Sequence, residues 1–278
     1  MLECVLAASV ALGSSADTTV SVDPGQSVAI ENFSGRLIVR AWDRPEVLFE
    51  SEGPEEANVK VSRSARELSF SADRRWRNRS VTTVVRMPAW APLRVRGNEL
   101  DVEVEGLTGG LSVVAVEGDI RIRRVSGGVV ARTVDGVLEV EDVQGPLELF
   151  SVDDDIWVSR VRGDVRVEAG DGDIHLRRID AGNVQASTVD GEVEFEGVIR
   201  PDGRYELTTH DGDITLEVDE AVSASVSVST FDGDFTTEFP VLLSGLNSNR
   251  ELRFMLGAGE ATIIMRAFDG EIRLVRSR

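Results

Sequence analysis

Asp171-Gly172-Asp173-Ile174-His175-Leu176 is one copy of a phrase that recurs through the second half of the chain. The general form is an acid, Gly, a third residue that is acidic in all but one copy, and an apolar residue. In one copy, Asp153-Asp154-Asp155-Ile156, Asp replaces the Gly. The first acids stand at positions 117, 135, 153, 171, 190, 211, 232 and 269, so the steps are 18, 18, 18, 19, 21, 21 and 37 residues, the last close to two periods. Repetition at a period of about 20 residues is typical of solenoids and β-helices.

Each period contains two turns and two short alternating segments. Apolar and polar residues alternate after the Asp-Gly turn, as at Ile174 and Leu176, and again after a Gly half a period earlier, as at Leu147 and Leu149. Alternation with a period of two predicts strands with one buried face, and helical periodicity is absent from this region. Two further columns are expected to fill the corners of a narrow coil. They are small residues two positions before each acid (Ala115, Thr133, Ser151, Ala169, Thr188, Thr209, Thr230, Ala267) and apolar residues after the second strand (Val125, Val143, Val161, Ile179).

The sequence therefore predicts an all-β protein built as a parallel β-solenoid, of the β-helix or β-roll type. Residues 106–278 are expected to form coils of about 18–21 residues, and residues 17–105 a β-rich N-terminal cap that carries an Arg-rich loop and continues into the repeats. Each copy is expected to lie directly over the one before it. Stacked coils then bury the inward side chains that a single coil leaves exposed, with about 4.8 Å between neighbouring strands. In the turns, Gly allows positive φ, and Asp is expected to accept from the N–H groups of its own turn.

Composition fits this class of protein. The chain has 278 residues, of which 41% are hydrophobic and 5% aromatic, and few aromatic side chains suit narrow coils. Cys4 is the single cysteine, which excludes an intrachain disulfide, and no apolar run is long enough to predict a transmembrane helix. The net charge is -19, yet residues 60–96 hold ten basic and two acidic residues. Such asymmetry bears on partners rather than on fold.

The segment 1–16 is largely apolar and ends with Ser14 and Ala16 before Asp17, which fits a small-x-small cleavage site. Residues 1–16 are therefore predicted to be a signal peptide, and the protein to be exported to the periplasm or the cell surface. Glu3 stands where a basic residue is usual, so an N-terminal segment docked on the protein is the alternative.

The stretch Ile30-Glu31-Asn32-Phe33-Ser34-Gly35-Arg36-Leu37-Ile38-Val39-Arg40-Ala41-Trp42-Asp43-Arg44-Pro45-Glu46-Val47 resembles the opening of the bacterial putative-adhesin β-strand-repeat family, a domain of unknown function. Met87 to Val95 resembles its proline-containing strand, and Gly257 to Leu274 its closing coil. The Thr-Val-Asp-Gly and Thr-Phe-Asp-Gly phrases resemble its Thr-x-Ser-Gly-Asp-Ile repeats, with Asp in place of the usual Ser. Together these matches span roughly 19 to 276. The resemblance implies an exported, elongated, adhesin-like β-solenoid.

Stacked coils would align the repeated acids in two files. The first acids form one file (Asp135, Asp153, Asp171, Asp190, Asp211, Asp232) and the second acids the other (Asp119, Asp155, Asp173, Glu192, Asp213, Asp234). Like charges at that spacing repel one another, so turn N–H groups, Arg side chains or Ca²⁺ must offset the repulsion. The residues predicted to hold Ca²⁺, if a cation is used, are Asp135, Asp153, Asp155, Asp171, Asp173, Asp190, Asp211, Asp213, Asp232 and Asp234. The spacing is not that of the nine-residue calcium roll, and no other cofactor is predicted.

A second candidate site is the basic loop formed by Arg74, Arg75, Trp76, Arg77 and Arg79. Guanidinium groups bind phosphates and anionic polysaccharides, and Trp76 offers a stacking surface. The alternative is a solvated loop, or one folded against the acidic face of the same molecule. Nucleic acid is a disfavoured partner because the rest of the chain is acidic and export is predicted. An envelope or extracellular protein or polysaccharide is expected instead.

No motif for a nucleophile, a zinc site or a phosphate loop is present. His175 and His210, the two histidines, are expected to face solvent. The predicted function is therefore a non-catalytic, exported, adhesin-like scaffold. Two alternatives remain: a Ca²⁺-stabilised spacer, and a polysaccharide lyase or hydrolase centred on Asp153 to Trp157, where the acids break the repeat.

Overall fold

The computed structural model describes residues 17–52, 59–72, 81–241 and 251–277. These ranges contain strands, turns and irregular segments and no helix, which confirms the all-β class. The chain divides into two compact units, Met1–Thr133 and Val134–Arg278. The division at residue 105 that the repeats suggest stays a prediction.

The strands of the first unit follow one another from residue 17 to residue 132. Within its described ranges they are β1 (Asp17–Ser21), β2 (Ser27–Trp42), β3 (Glu46–Glu52), β4 (Val59–Arg63), β5 (Glu67–Ala72), β6 (Val81–Pro88), β7 (Leu93–Glu105), β8 (Leu111–Val114), β9 (Ile120–Val125) and β10 (Val129–Arg132). The strands form two rows of paired strands, and the long strands β2 and β7 take part in both. The first halves of β2 and β7 lie in the row β4-β5-β2-β7-β8-β10. Their second halves lie in the row β1-β3-β6-β2-β7-β9. The pairs β1/β3, β3/β6 and β4/β5 are antiparallel, and the other pairs in these rows are parallel.

The second unit carries most of the repeats. Its described strands are β11 (Leu138–Gln144), β12 (Leu147–Ser151), β13 (Ile156–Arg162), β14 (Val165–Ala169), β15 (Ile174–Ser187), β16 (Val193–Asp211), β17 (Ile214–Val218), β18 (Ala224–Asp232), β19 (Phe235–Thr237), β20 (Glu251–Leu256), β21 (Ala261–Asp269) and β22 (Ile272–Arg276). One row runs β11-β13-β15-β16-β17-β22-β19. The other runs β12-β14-β15-β16-β21-β18-β20. All these pairs are parallel except β18/β20.

The pairing register reproduces the repeat of the sequence. Leu138 lies opposite Ile156, Ile156 opposite Ile174, and Ile174 opposite Val193, so each strand pairs with its equivalent in the next copy. Each of these four side chains is fully buried. The predicted corner positions are buried as well, at Ala115, Thr133, Ser151, Ala169, Thr188, Thr209, Ala267, Val125, Val143, Val161 and Ile179, whereas Thr230 is half-buried. Alternation therefore identified the buried face correctly.

The last copies of the repeat do not stack in the order of the sequence. Asp269 lies opposite both Asp211 and Asp232, so the strands β21 and β22 separate the copy at 211 from the copy at 232. The expectation that each copy lies directly over the one before it is wrong here. The physical reason is that β20 turns back antiparallel along one edge of β18. Strand β21 then pairs with the other edge of β18 and completes the hydrogen bonds of both β16 and β18.

Close approach between copies explains the glycine of the phrase. Gly191 has φ +150°, and a Cβ there would lie 2.4 Å from the carbonyl oxygen of Gly172 in the preceding copy. Real Cβ atoms do not come this close to a carbonyl oxygen, so the turn excludes a side chain by contact as well as by conformation.

One large polar side chain lies inside the second unit. Tyr205 is fully buried, and its hydroxyl donates to the carbonyl of Ala181 and accepts from the N–H of Arg200, each at 2.7 Å. Burial raises the pKa of Tyr205, so the hydroxyl keeps its proton and its donor role. The bonds tie the part of β16 around Arg200, where the register with β15 shifts, to β15.

Candidate functional site

The second acid of the phrase is bonded between copies. Asp155 Oδ1 accepts from the N–H of Asp173 at 2.9 Å, and Asp173 Oδ1 accepts from the N–H of Glu192 at 2.7 Å. Asp213 Oδ1 accepts from the N–H of Glu271 at 2.8 Å in the same way. The expectation that Asp bonds the N–H groups of its own turn is wrong for these second acids, because each accepts from an N–H group of the neighbouring copy.

The first acids form an exposed file. Asp190 lies opposite both Asp171 and Asp211, and Asp269 continues the file before Asp232. The predicted neighbours Asp211 and Asp232 are therefore separated by Asp269. All of these carboxylates are exposed, as are Asp135 and Asp153.

No three His, Cys, Asp or Glu side chains gather as a metal site in the described ranges. In the second file the carboxylates of Asp155, Asp173 and Asp213 have main-chain partners, and Arg273 Nη2 also lies 2.9 Å from Asp213 Oδ2. Calcium binding by the ten predicted aspartates stays a prediction. The predicted basic site at Arg74, Arg75, Trp76, Arg77 and Arg79 lies outside the described residues.

The outer face of β13, β15 and β16 carries a stacked aromatic pair. The rings of Trp157 and His175 lie 3.7 Å apart at an angle of 22°, and Nδ1 of His175 lies 2.8 Å from Oε2 of Glu194. Trp157, His175 and Glu194 are register partners on three neighbouring strands, which places them in one line across the sheet. The expectation that His175 faces solvent is wrong, because it is 9% exposed beneath the indole ring.

Charge around this pair is balanced by guanidinium groups. The hydrogen bond from His175, opposed by partial burial and assisted by Arg177, holds the pKa of Glu194 below its ordinary value. Arg177 Nη2 lies 3.5 Å from Glu194 Oε2, and Arg160 pairs with Glu141 nearby. The Glu194 carboxylate is therefore ionised at neutral pH and keeps the imidazole in place.

A groove opens beside Trp157. It has a volume of ≈ 470 Å³ and is lined by Val137, Glu139, Val140, Glu141, Trp157, Val158, Ser159, His175 and Arg177. The three consecutive acids Asp153 to Asp155 do not line it. Asp154 Oδ2 accepts from the N–H of Gly136 at 2.7 Å, and Asp155 is bonded to the next copy. The break in the repeat at these acids therefore lies beside Trp157, which lines the groove. Asp154 and Asp155 themselves accept hydrogen bonds from main-chain N–H groups.

A second aromatic stack lies on exposed positions near the C-terminal copies. The ring centroid of Phe268 lies 4.7 Å from that of His210 and 4.8 Å from that of Phe231. Phe231 is 58% exposed and Phe268 47%. These residues immediately precede the first acid of their copies, where Val134 and Val189 are also exposed. The sequence shows that the position before the first acid is often apolar. It does not predict that these side chains are exposed. The prediction that His210 faces solvent is confirmed.

Among the residues that the structure describes, no helix has the length and apolar character needed to cross a bilayer.

Comparisons with known proteins identify part of the chain. The sequence model of the Toastrack DUF4097 family matches residues 155–275. No curated protein matches the chain. Among solved structures, a putative cell adhesion protein from Clostridium sporogenes is 10% identical, with 94% of this chain and 99% of that chain covered and a TM-score of 0.27. A putative adhesin from Bacteroides fragilis is 11% identical, with coverage of 93% and 95% and a TM-score of 0.46.

The two structural similarities have TM-scores too low to carry an argument about fold or function. The family match does carry one, because it covers the β13 to β22 region in which the acid-Gly phrases pair across copies. It confirms, for that region, the resemblance found in the repeats. Residues 155–275 of this chain are similar to the Toastrack DUF4097 family.

Proposed function

We propose that this chain is a non-catalytic, exported, adhesin-like protein whose repeats form a parallel β-solenoid scaffold and whose outer face binds an envelope or extracellular partner. The observation that carries the proposal is the exposure of large rings, with Trp157 at 39%, Phe268 at 47% and Phe231 at 58%. Only 5% of the residues are aromatic, and although rings such as Phe195 and Phe254 are buried in the core, these three lie at the surface. Rings placed outward in stacked pairs are best explained by a partner that covers them.

The solenoid part of the proposal rests on parallel pairing at the period of the sequence. Neighbouring strands from β11 to β17 are offset by one repeat, and inward side chains are buried along both rows. Such a coil repeats the same outward position at every strand spacing of about 4.8 Å, so it presents regularly spaced groups to an extended partner.

The non-catalytic part rests on how the acids are used. Asp154, Asp155 and Asp173 each accept a main-chain N–H from a neighbouring copy. Acids with the same role in successive copies are structural, whereas an active site requires an acid and a base set apart from the repeat. Turnover of a polysaccharide by the purified chain would instead support the alternative of a carbohydrate-active enzyme.

Binding and export are tested separately. The full chain, immobilised, should retain material from bacterial envelope fractions or from an array of glycans, and the variant W157A/F231A/F268A should retain much less. All three residues are outward, so circular dichroism should show an unchanged β-signature. Fractionation of a bacterium expressing the full chain should place it in the periplasm or at the surface. Equal retention by the variant contradicts the binding face, and a cytoplasmic location contradicts export.

A further inference from the structure

The groove beside Trp157 has the size of a small-ligand site. Its volume of ≈ 470 Å³ lies within the range of about 300–1,000 Å³ that is typical of ligand pockets. It lies on the outer face of β11, β13 and β15, all within the second unit. One side of its lining is aromatic, from Trp157 and His175, and the rest combines short aliphatic side chains with carboxylates, a hydroxyl and a guanidinium.

Trp157 is held in place before any ligand arrives. His175 lies 3.7 Å beneath one face of the indole ring, and Glu194 fixes His175 through the 2.8 Å hydrogen bond. His175 is buried, whereas Trp157 is 39% exposed and faces the groove. A side chain that is already ordered loses little conformational entropy on binding, so this stack is organised as a fixed platform. His175 and Glu194 are positioning residues that act through Trp157.

The polar groups of the groove are better suited to bind a ligand with hydroxyl groups than to bind a charged ligand. Glu139 and Glu141 accept hydrogen bonds, Arg177 donates them, and Ser159 does both. Glu141 is paired with Arg160, and Arg177 contacts Glu194, so the lining offers hydrogen-bonding atoms whose charges are largely compensated.

The same lining disfavours two other classes of ligand. An anionic ligand would have to compete with Glu194 for Arg177, the guanidinium of this lining, on a chain whose net charge is -19. A wholly apolar ligand would remove water from the carboxylates and from Arg177 without replacing their hydrogen bonds.

We propose that this groove binds one ring of an uncharged polysaccharide. The apolar C–H face of the sugar packs on the indole of Trp157, and its hydroxyl groups bond to Glu139, Glu141, Ser159 and Arg177. The inference rests on the proposed function and names its ligand class.

Titration of the full chain with neutral oligosaccharides tests the inference. Cello-, malto- and N-acetylchito-oligosaccharides are the neutral probes, and polygalacturonate and deacetylated chitosan oligomers are the charged ones. Calorimetry measures affinity, and tryptophan emission reports on the ring once the emission of Trp157→Ala, which retains Trp42, Trp76 and Trp90, has been subtracted. We expect one neutral series to bind and to shift the emission, and the charged probes to bind at least tenfold more weakly, a difference of about 1.4 kcal/mol.

Four variants separate the roles of the residues. Trp157→Ala should lose at least about tenfold in affinity, as truncation of a central Trp usually does. His175→Ala should lose several-fold and His175→Phe should recover most of it, because a flat ring beneath the indole is restored. Phe150→Ala removes a ring that is 39% exposed, like Trp157, but does not line the groove, and it is the matched control, so its affinity should be unchanged.

Several results would overturn the inference. They are wild-type affinity in Trp157→Ala, equal loss in Phe150→Ala, preference for a charged probe, and no binding of any neutral probe. If the chain still captures an envelope partner while neutral sugars fail, the ligand class is wrong and the proposed function stands. If nothing is captured by either route, both fail.

Discussion

Replacing Asp173 by Ala should destabilise the second unit by about 1–2 kcal/mol, whereas replacing Asp171 by Ala should change its stability little. The two acids belong to the same phrase and flank the same Gly172. Asp173 Oδ1 accepts the N–H of Glu192 at 2.7 Å. Hydrogen bonds to charged groups contribute about 1.5–3 kcal/mol, and exposed carboxylates that cap a main-chain N–H contribute about 1 kcal/mol. Asp173 is half-buried, which places its contribution between these figures.

Asp171 lies in a different situation. Its side chain is exposed and has neither a hydrogen bond nor an ion pair within the described ranges, and its register partner is another acid, Asp190. Removal of the charge relieves a repulsion of at most about 1 kcal/mol in water. The expected change is therefore between zero and a slight stabilisation.

The assay is urea denaturation of both variants, monitored by tryptophan emission and far-ultraviolet circular dichroism. For a chain of this size, about 1 kcal/mol corresponds to a shift of roughly 2–4 °C in unfolding temperature, so calorimetry gives a second measure. Asp173→Asn should recover part of the loss, because the amide oxygen still accepts the N–H. Equal losses of stability in the Asp173 and Asp171 variants would refute the conclusion that only the second acid of the phrase stabilises the fold.

Further predictions concern the core, the turns, pH and calcium. Tyr205→Phe should cost about 1–3 kcal/mol in urea denaturation, because the buried Ala181 carbonyl and the Arg200 N–H lose their partner; an unchanged midpoint contradicts this. Gly191→Ala should cost several times more than Gly182→Ala, since a Cβ meets a carbonyl at 2.4 Å in the first case and nothing nearer than 3.8 Å in the second; similar losses would disprove the contact. A hydrogen bond from Arg266 lowers the pKa of Glu206. The Glu206 carboxylate therefore contributes its full share to folding stability above its ordinary pKa of 4.5, and this share is lost as the pH falls through the lowered pKa. The stability difference between wild type and Glu206→Gln should therefore shrink below pH 4.5, and a constant difference argues against the bond. A chelator should leave the unfolding temperature unchanged, because main-chain groups already bond the second acids; a fall that added Ca²⁺ reverses would establish the calcium alternative.

Much of the architecture could be predicted from the sequence because the physical constraints are local and repeated. Alternation at Ile174 and Leu176 identified the buried face, since successive side chains on a strand point to opposite sides. The small residues before each acid indicated a corner with little space. The recurring Gly indicated turns that exclude a side chain. The repeat length itself fixed the pairing offset from β11 to β17, because copies of equal length pair in the same register.

The tertiary structure alone decided two other features. The order of the last copies depends on β20, whose antiparallel pairing occupies one edge of β18 and sends β21 to the other; similar repeats have nearly equivalent edges, so their sequences do not choose between them. The burial of His175 depends on Trp157, which belongs to the preceding copy and is its neighbour only across the sheet. Periodicity tells which side chains point outward, and only the stacking of copies determines which outward side chain covers another.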